Sequence, residues 1–287
     1  MKKYIPLFLI SILFCVVSTN ILSAQLIETE QLAKILDQEN LRILDVQKLK
    51  NYNRHHIKGA VHLNYKDLTQ NSPAPGTLKS PEELAKIFGN IGISIHHKIV
   101  VYDEKSGKGS ARVYAVLKYL GATDVYILNG QLLKWMAEKR PITARKPRIQ
   151  KVTFTPKTQH SIYVDAEYVK NHLDDPQVQL LDARTEAEFK GQKGKYKPLG
   201  HIKNALLLPY NRFVNSDGTF KTKAEVEAIA REAGFSNTKT IITYCITAVR
   251  ASVAYVALHE IAQWPNVFIY EGSFADFSQR YPHLIEQ

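Results

Sequence analysis

The run Cys245-Ile246-Thr247-Ala248-Val249-Arg250 sets a thiol five residues ahead of a guanidinium, with no charged residue between them. A thiol attacks only as thiolate, and converging backbone N–H groups, a helix N-terminus and a nearby arginine all favour that form. Ile246, Thr247, Ala248 and Val249 form a stretch short enough to curl, turning several amides toward the sulfur and toward an anionic substrate beside it. Cys245 is the candidate nucleophile, and Arg250 with the four loop residues the candidate substrate-binding set. A free cysteine is more commonly a small buried hydrophobe. The location of this one, between a strand and a helix, argues for reactivity.

Other constellations carry less chemistry. His55-His56 and His96-His97 are adjacent pairs, which in a strand point to opposite faces, and no Cys, Asp or Glu stands at ligand spacing. No metal site and no cofactor are expected from them. Gly107-Lys108-Gly109-Ser110 lacks the Gly-x4-Gly-Lys-Ser/Thr frame of a phosphate loop. His56 and His201 stand at matching places in a repeat described below, which points to a structural hydrogen bond for both. Thr247 and Ser252 offer hydroxyls near the sulfur, although Ser252, inside a helix, can simply bond back to its own backbone. Asp182 and Arg184 follow the strand Gln179–Leu181, at the same end of the sheet as Cys245 if the strands are parallel; they could equally pair with Glu188 or cap a helix.

The elements that must hold the thiol are written twice. Lys98-Ile99-Val100-Val101-Tyr102-Asp103 aligns with Thr240-Ile241-Ile242-Thr243-Tyr244-Cys245 at an offset of 142, and the same offset runs on without a gap to Trp135 and Phe277. Upstream, Ile43–Val46 matches Leu180–Ala183 at 137, and His56–Ala60 matches His201–Ala205 at 145, which implies an eight-residue insertion within Gly191–Leu199. Each copy alternates short β-branched runs with helical patterns, the signature of an α/β fold with a parallel sheet. A period this long means duplicated domains. The expected organisation is a first domain over 25–140, a linker over 141–160 rich in Pro, Lys and Arg, and a second domain over 161–287.

Composition excludes several classes of function. With two cysteines in 287 residues, Cys15 and Cys245, a disulfide scaffold, a zinc ribbon and a CxxC redox pair are ruled out. Residues 1–24 have the form of a secretory signal: Lys2 and Lys3, an apolar run over Ile5–Val17, and Leu22-Ser23-Ala24 as a cleavage site. An exported protein, periplasmic or secreted, is expected, without a stable membrane anchor, because the apolar run is shorter than the roughly 20 residues that span a bilayer. Cleavage removes two lysines and takes the net charge from +11 to +9. The remaining cations are dispersed and accompany no nucleic-acid motif, so a small anionic substrate fits better than nucleic acid. A monomer is the expected state.

Asp182-Ala183-Arg184 with Glu188-Phe189, Gly200-His201-Ile202, Cys245 with Arg250-Ala251-Ser252, and Tyr270-Glu271-Gly272-Ser273-Phe274 together resemble a rhodanese domain. The whole chain is similar to the tandem rhodanese family of thiosulfate and 3-mercaptopyruvate sulfurtransferases. That resemblance implies two tandem rhodanese-like domains, of which the first is non-catalytic: Asp103 stands at the cysteine position, cannot become a persulfide, and is expected to repel anions from its loop. It implies transfer of a sulfane sulfur from thiosulfate to cyanide or a thiol through a Cys245 persulfide. The alternatives are 3-mercaptopyruvate as donor, with Arg184 holding its carboxylate, or a non-catalytic sulfur-carrier or binding protein. The related Cdc25-type phosphatases wrap phosphate with a loop one residue longer than Cys-x4-Arg. The loop matches neither Cys-Arg-Lys-Gly-Val-Thr of the thiosulfate enzymes nor Cys-Gly-Ser-Gly-Val-Thr of the mercaptopyruvate enzymes. Ala248 stands where both have glycine.

Overall fold

A computed structural model describes residues 25–72 and 74–287. The signal-like segment 1–24, with Cys15, lies outside the described residues. Two sheets of five parallel strands carry the fold. The first runs in space Leu26–Ile27, Val125–Leu128, Lys98–Tyr102, Leu41–Asp45, Ala60–His62. The second repeats the order with Tyr163–Val164, Val267–Tyr270, Thr240–Tyr244, Val178–Asp182, Leu206–Leu207. The two central strands, KIVVY and TIITY, are β-branched and buried over their last four residues, as a strand covered on both faces must be. An antiparallel pair closes each module: His56–Ile57 with Ile142–Thr143, and His201–Ile202 with Ile285–Glu286.

That closure draws part of the segment 141–160 into the first module. The rest of it has no regular structure, yet Val152, Lys157 and Gln159 donate backbone bonds to Gly89, Leu120 and Tyr119. Phe154 is buried beside Phe88. The segment is therefore a strap lying along the first domain and not a free tether. Residues 191–199, where the second copy is longer, form a loop.

The two domains meet about an approximate twofold axis. Helix Lys108–Tyr119 packs on helix Val249–Tyr255, and one hydrophobic core runs through both modules. Each domain also extends a hairpin over the other's strand–helix loop. Gly76 (φ +87°) lies so close to Thr247 that a Cβ there would fall 2.5 Å from the threonine Cβ. Its mate Gly218 (φ +85°) lies on the carbonyl of Lys105, 2.8 Å from where its Cβ would be. Leu78 N–H donates to Glu271 Oε1 at 2.5 Å, and Phe220 N–H to Asn129 Oδ1 at 2.9 Å, the matching bond in the other direction.

The copies differ where the chemistry is expected. The second helix begins at Val249, the repeat equivalent of Gly107, one position earlier than Lys108 in the first copy. A π turn over Val256–Ile261 absorbs the extra residue, and register is restored at Val267–Tyr270. The gapless sequence repeat thus conceals a loop shorter by one residue in front of Arg250.

Candidate active site

Register places the thiol. Asp182 pairs with Tyr244 in the parallel sheet, so Cys245 is the first residue beyond its carboxyl edge, where open α/β sheets bind ligands. Below it lies a buried polar network. Tyr244 Oη donates to Asp182 Oδ2 at 2.8 Å and accepts from Ile202 N–H at 3.2 Å. The first copy has the same arrangement in Tyr102, Asp45 and Ile57.

The loop is held from outside through two of its carbonyls and two of its amides. Phe274 and Ala275, in the first turn of helix Ser273–Arg280, donate to the carbonyls of Cys245 and Ile246 at 3.0 and 3.1 Å. Ser273 Oγ accepts from the amides of Cys245 (3.3 Å) and Ala248 (3.0 Å) and donates to Tyr270 O. The amides of Val249, Arg250 and Ala251 open a helix and have no intrahelical acceptor. With those of Ile246 and Thr247 they remain for the sulfur and an anion bound to it. The expected contribution of Ala248 is corrected here: its N–H belongs to Ser273. Ala248 also adopts φ +60°, the left-handed conformation that a glycine would take more cheaply, by roughly 1–2 kcal/mol.

The first copy shows how such a loop treats an anion. The Asp103 carboxylate lies inside its own loop and accepts from the amides of Lys105 (2.9 Å), Gly107 (3.1 Å) and Gly109 (3.0 Å). The carboxylate does not stand off to repel anions, as the sequence suggested; it occupies the anion position itself. Burial still pushes its carboxyl above the ordinary range, against those amide bonds. Amides alone do not fully offset the cost of a buried charge, so a permanent cation in the second copy has a role to fill.

Arg250 is that cation. Burial opposes its charge, but hydrogen bonds to Glu188 and an attractive contact with Cys245 hold the guanidinium charged. Its Nη1 and Nη2 meet the two Glu188 oxygens at 2.7 and 2.8 Å in a fork. Glu188 is drawn down to about 2 although burial works the other way, chiefly by Arg250 and then by Thr185. Stability contributed by Glu188 is complete above its ordinary 4.5 and is lost as pH falls toward about 2. Glu188→Gln is therefore expected to lower the urea midpoint at neutral pH, with the gap to the parent protein closing as pH falls through that window.

Arg184 is positioned differently from the substrate contact expected of it. It is 1 % exposed, with Nε and Nη2 on Asp182 (2.6–2.9 Å) and Nη2 also on Gly200 O at 2.7 Å. Its repeat mate Gln47 joins Asp45 and His55 O in the same way, at 2.8 and 3.0 Å. A bond kept in a copy without a thiol braces the strand end. Only Nη1 of Arg184 has no acceptor among the described residues. Asp182, fully buried, is engaged with Arg184 and Tyr244. The ring nitrogens of His56 face the carbonyls of Tyr52 and Arg145, and His201 Nδ1 faces Phe189 O. Ser252 Oγ bonds back to Ala248 O at 2.8 Å.

Cys245 itself is 2 % exposed, so only a slender donor can reach it end-on. The first domain contributes to that enclosure through Gly76. Arg112, a buried arginine of the first domain, donates to the Gly76 carbonyl (3.2 Å) and to Tyr163 Oη (3.3 Å) and anchors the hairpin tip. Gly76→Ala is expected to push Thr247 aside and slow reaction at Cys245 by about tenfold or more, since small misplacements of reacting groups are costly. Stopped-flow measurement of thiol modification in the variant checks this.

The rhodanese-like domain family matches this chain twice, over residues 28–138 and 165–280. The chain belongs to that family, as two tandem domains. It is 30% identical over 267 residues to the sulfur carrier protein TtuD of Thermus thermophilus, covering 88% of this chain and 93% of the relative. It is 26% identical to rat thiosulfate sulfurtransferase over 258 residues, 85% of this chain and 86% of that one. The 3-mercaptopyruvate sulfotransferase SseA of Escherichia coli superposes with a TM-score of 0.82 at 27% identity, over 88% of this chain and 99% of that one. These likenesses, with the thiol loop, make the chain a sulfurtransferase of the rhodanese type.

Proposed function

We propose that this protein takes the outer sulfur of thiosulfate onto Cys245 and passes it to cyanide or a thiol. The observation that carries this reading is the twin loop, in which the Asp103 carboxylate takes three amides: the related loop around Cys245, one residue shorter, is suited to hold a thiolate and the persulfide that follows. The Cys245 thiolate attacks the outer sulfur of thiosulfate. The new S–S bond forms as the old one breaks, and the electron pair leaves with sulfite. Cyanide or a thiolate then attacks the terminal sulfur, and the Cys245 thiolate departs. Arg250 and the amides of Ile246, Thr247 and Val249 stabilise the negative charge throughout.

Thiosulfate fits better than 3-mercaptopyruvate because Arg184, the residue that would hold the carboxylate, is already bonded to Asp182 and Gly200. A carboxylate would find a single free donor there and not a fork. Export would place the protein where thiosulfate is available, and the Lys2-Lys3 start with its apolar run supports that placement. Intact-mass spectrometry after thiosulfate treatment, with sulfite and thiocyanate assays alongside, tests the proposal. An adduct of one sulfur with turnover supports it. An adduct without turnover makes the protein a carrier, and faster turnover with mercaptopyruvate changes the donor. No adduct refutes the nucleophile.

A further inference from the structure

The twofold mate of the Cys245 site is an open cavity. About 350 Å³ lies beside the Asp103 loop, walled by Val46 and Tyr65 of the first domain and by Tyr210 and Val214 of the second. That volume is at the lower end of what small-molecule pockets enclose, and apolar walls with a few charged groups are their usual composition. Lys48, Lys105 and Lys108 line it as well. None of the three forms an ion pair among the described residues.

The contrast with the second domain gives these charges meaning. Lys108 aligns with Arg250 by sequence offset, one position out of structural register because the second loop is shorter. The position of Glu188 is taken by Asn51, and Lys108 has no ion-pair partner among the described residues. Asn51 instead donates to Glu104 Oε2 at 3.1 Å, a carboxylate that also lines the cavity. The Lys108 ammonium stands 5.4 Å from the centre of the Tyr210 ring, a cation on the cavity wall. A wider hollow of about 750 Å³ shares Val46, Lys48 and Tyr65 with the first and adds Lys66 and Lys79. Asp103 and Glu104 line the first hollow and Asp67 the second. The five lysines therefore face three carboxylates and leave a modest positive excess at a cavity that Tyr210 and Val214 of the second domain help to wall.

The cradle under this cavity is not available to an inorganic anion, because Asp103 fills it. A ligand must place its charge at the lysines and its bulk between the apolar walls. We propose that the first domain binds a small organic anion here, its charged end held by Lys48, Lys105 and Lys108 and its apolar body packed on Tyr65 and Tyr210. The site is independent of Cys245 and gives the non-catalytic copy a binding function.

Fluorescence titration of the full chain with 8-anilinonaphthalene-1-sulfonate tests this, after blocking Cys245 with iodoacetamide so that the thiol site cannot contribute. Saturable single-site binding is expected. Replacing all three lysines by alanine should weaken it at least about tenfold, and neutral 1-anilinonaphthalene should bind the parent protein at least about tenfold more weakly than the sulfonate. Sodium sulfate should compete no better than sodium chloride at equal ionic strength. Losses smaller than this for the triple variant, equal binding of the neutral probe, specific displacement by sulfate, or no saturable binding overturns the proposal. Persulfide formation at an unblocked Cys245 checks that the triple variant is folded; if it is not, Lys108→Ala alone serves, with an expected loss of at least about threefold.

Discussion

Cys245→Ser is expected to take up no sulfur from thiosulfate and to lower transfer to cyanide by at least about a thousandfold, while melting within a few degrees of the parent protein. A hydroxyl does not ionise at neutral pH, so the cradle has no anion to present to the donor. Its polarisability and leaving ability also fall short of what the second step requires. The fold should not register the change, because the loop is held by other atoms. Ser273 takes the amides of Cys245 and Ala248, and Phe274 and Ala275 take the loop carbonyls. Thermal melting beside a thiocyanate assay separates the effects. A variant that retains a tenth or more of the transfer rate would exclude Cys245 as the sulfur carrier.

Arg184→Met is expected to be the most destabilising of the substitutions discussed, by about 3–5 kcal/mol in urea unfolding, because it strands a buried carboxylate. Asp182 is 0% exposed and would keep only Tyr244 and the Arg184 backbone N–H as partners. Arg184→Gln should lose markedly less, since Gln47 shows that an amide can join the matching aspartate to the matching carbonyl. The glutamine variant should also resemble the first copy in its titration. There, burial raises the Asp45 carboxyl despite hydrogen bonds from Tyr102 and Gln47. A raised carboxyl binds its proton more readily folded than unfolded, so the variant's deficit should be smaller at acid pH than at neutral pH. Equal losses for Met and Gln would show that an amide cannot replace the brace and that the loss comes from the missing charge.

Much of this molecule is legible in its sequence because the informative signals are local. Strand, loop and helix around Cys245 occupy consecutive residues, and β-branched runs followed by helical periods repeat at a constant offset. The duplicated α/β architecture and the location of the thiol follow from those patterns. Partnerships between distant residues do not. Glu188 and Arg250, 62 positions apart, form their fork only when the two strands lie side by side. Read along the chain, Glu188 could serve Arg184 as well as Arg250. Ser273 belongs to a recognisable motif, yet its hold on two loop amides depends on how the last helix docks.

What the amino-acid sequence determined by itself is the composition of the site: two copies of one module, with a thiol in the second and a carboxylate in the first. Tertiary structure decided what those groups do. It paired Arg250 with Glu188, committed Arg184 to bracing, and closed Gly76 of one domain over Thr247 of the other. The reason is physical. Residue type and spacing set local backbone geometry and intrinsic charge. Which charges are buried, and which groups neutralise them, depends on packing between segments far apart in the chain.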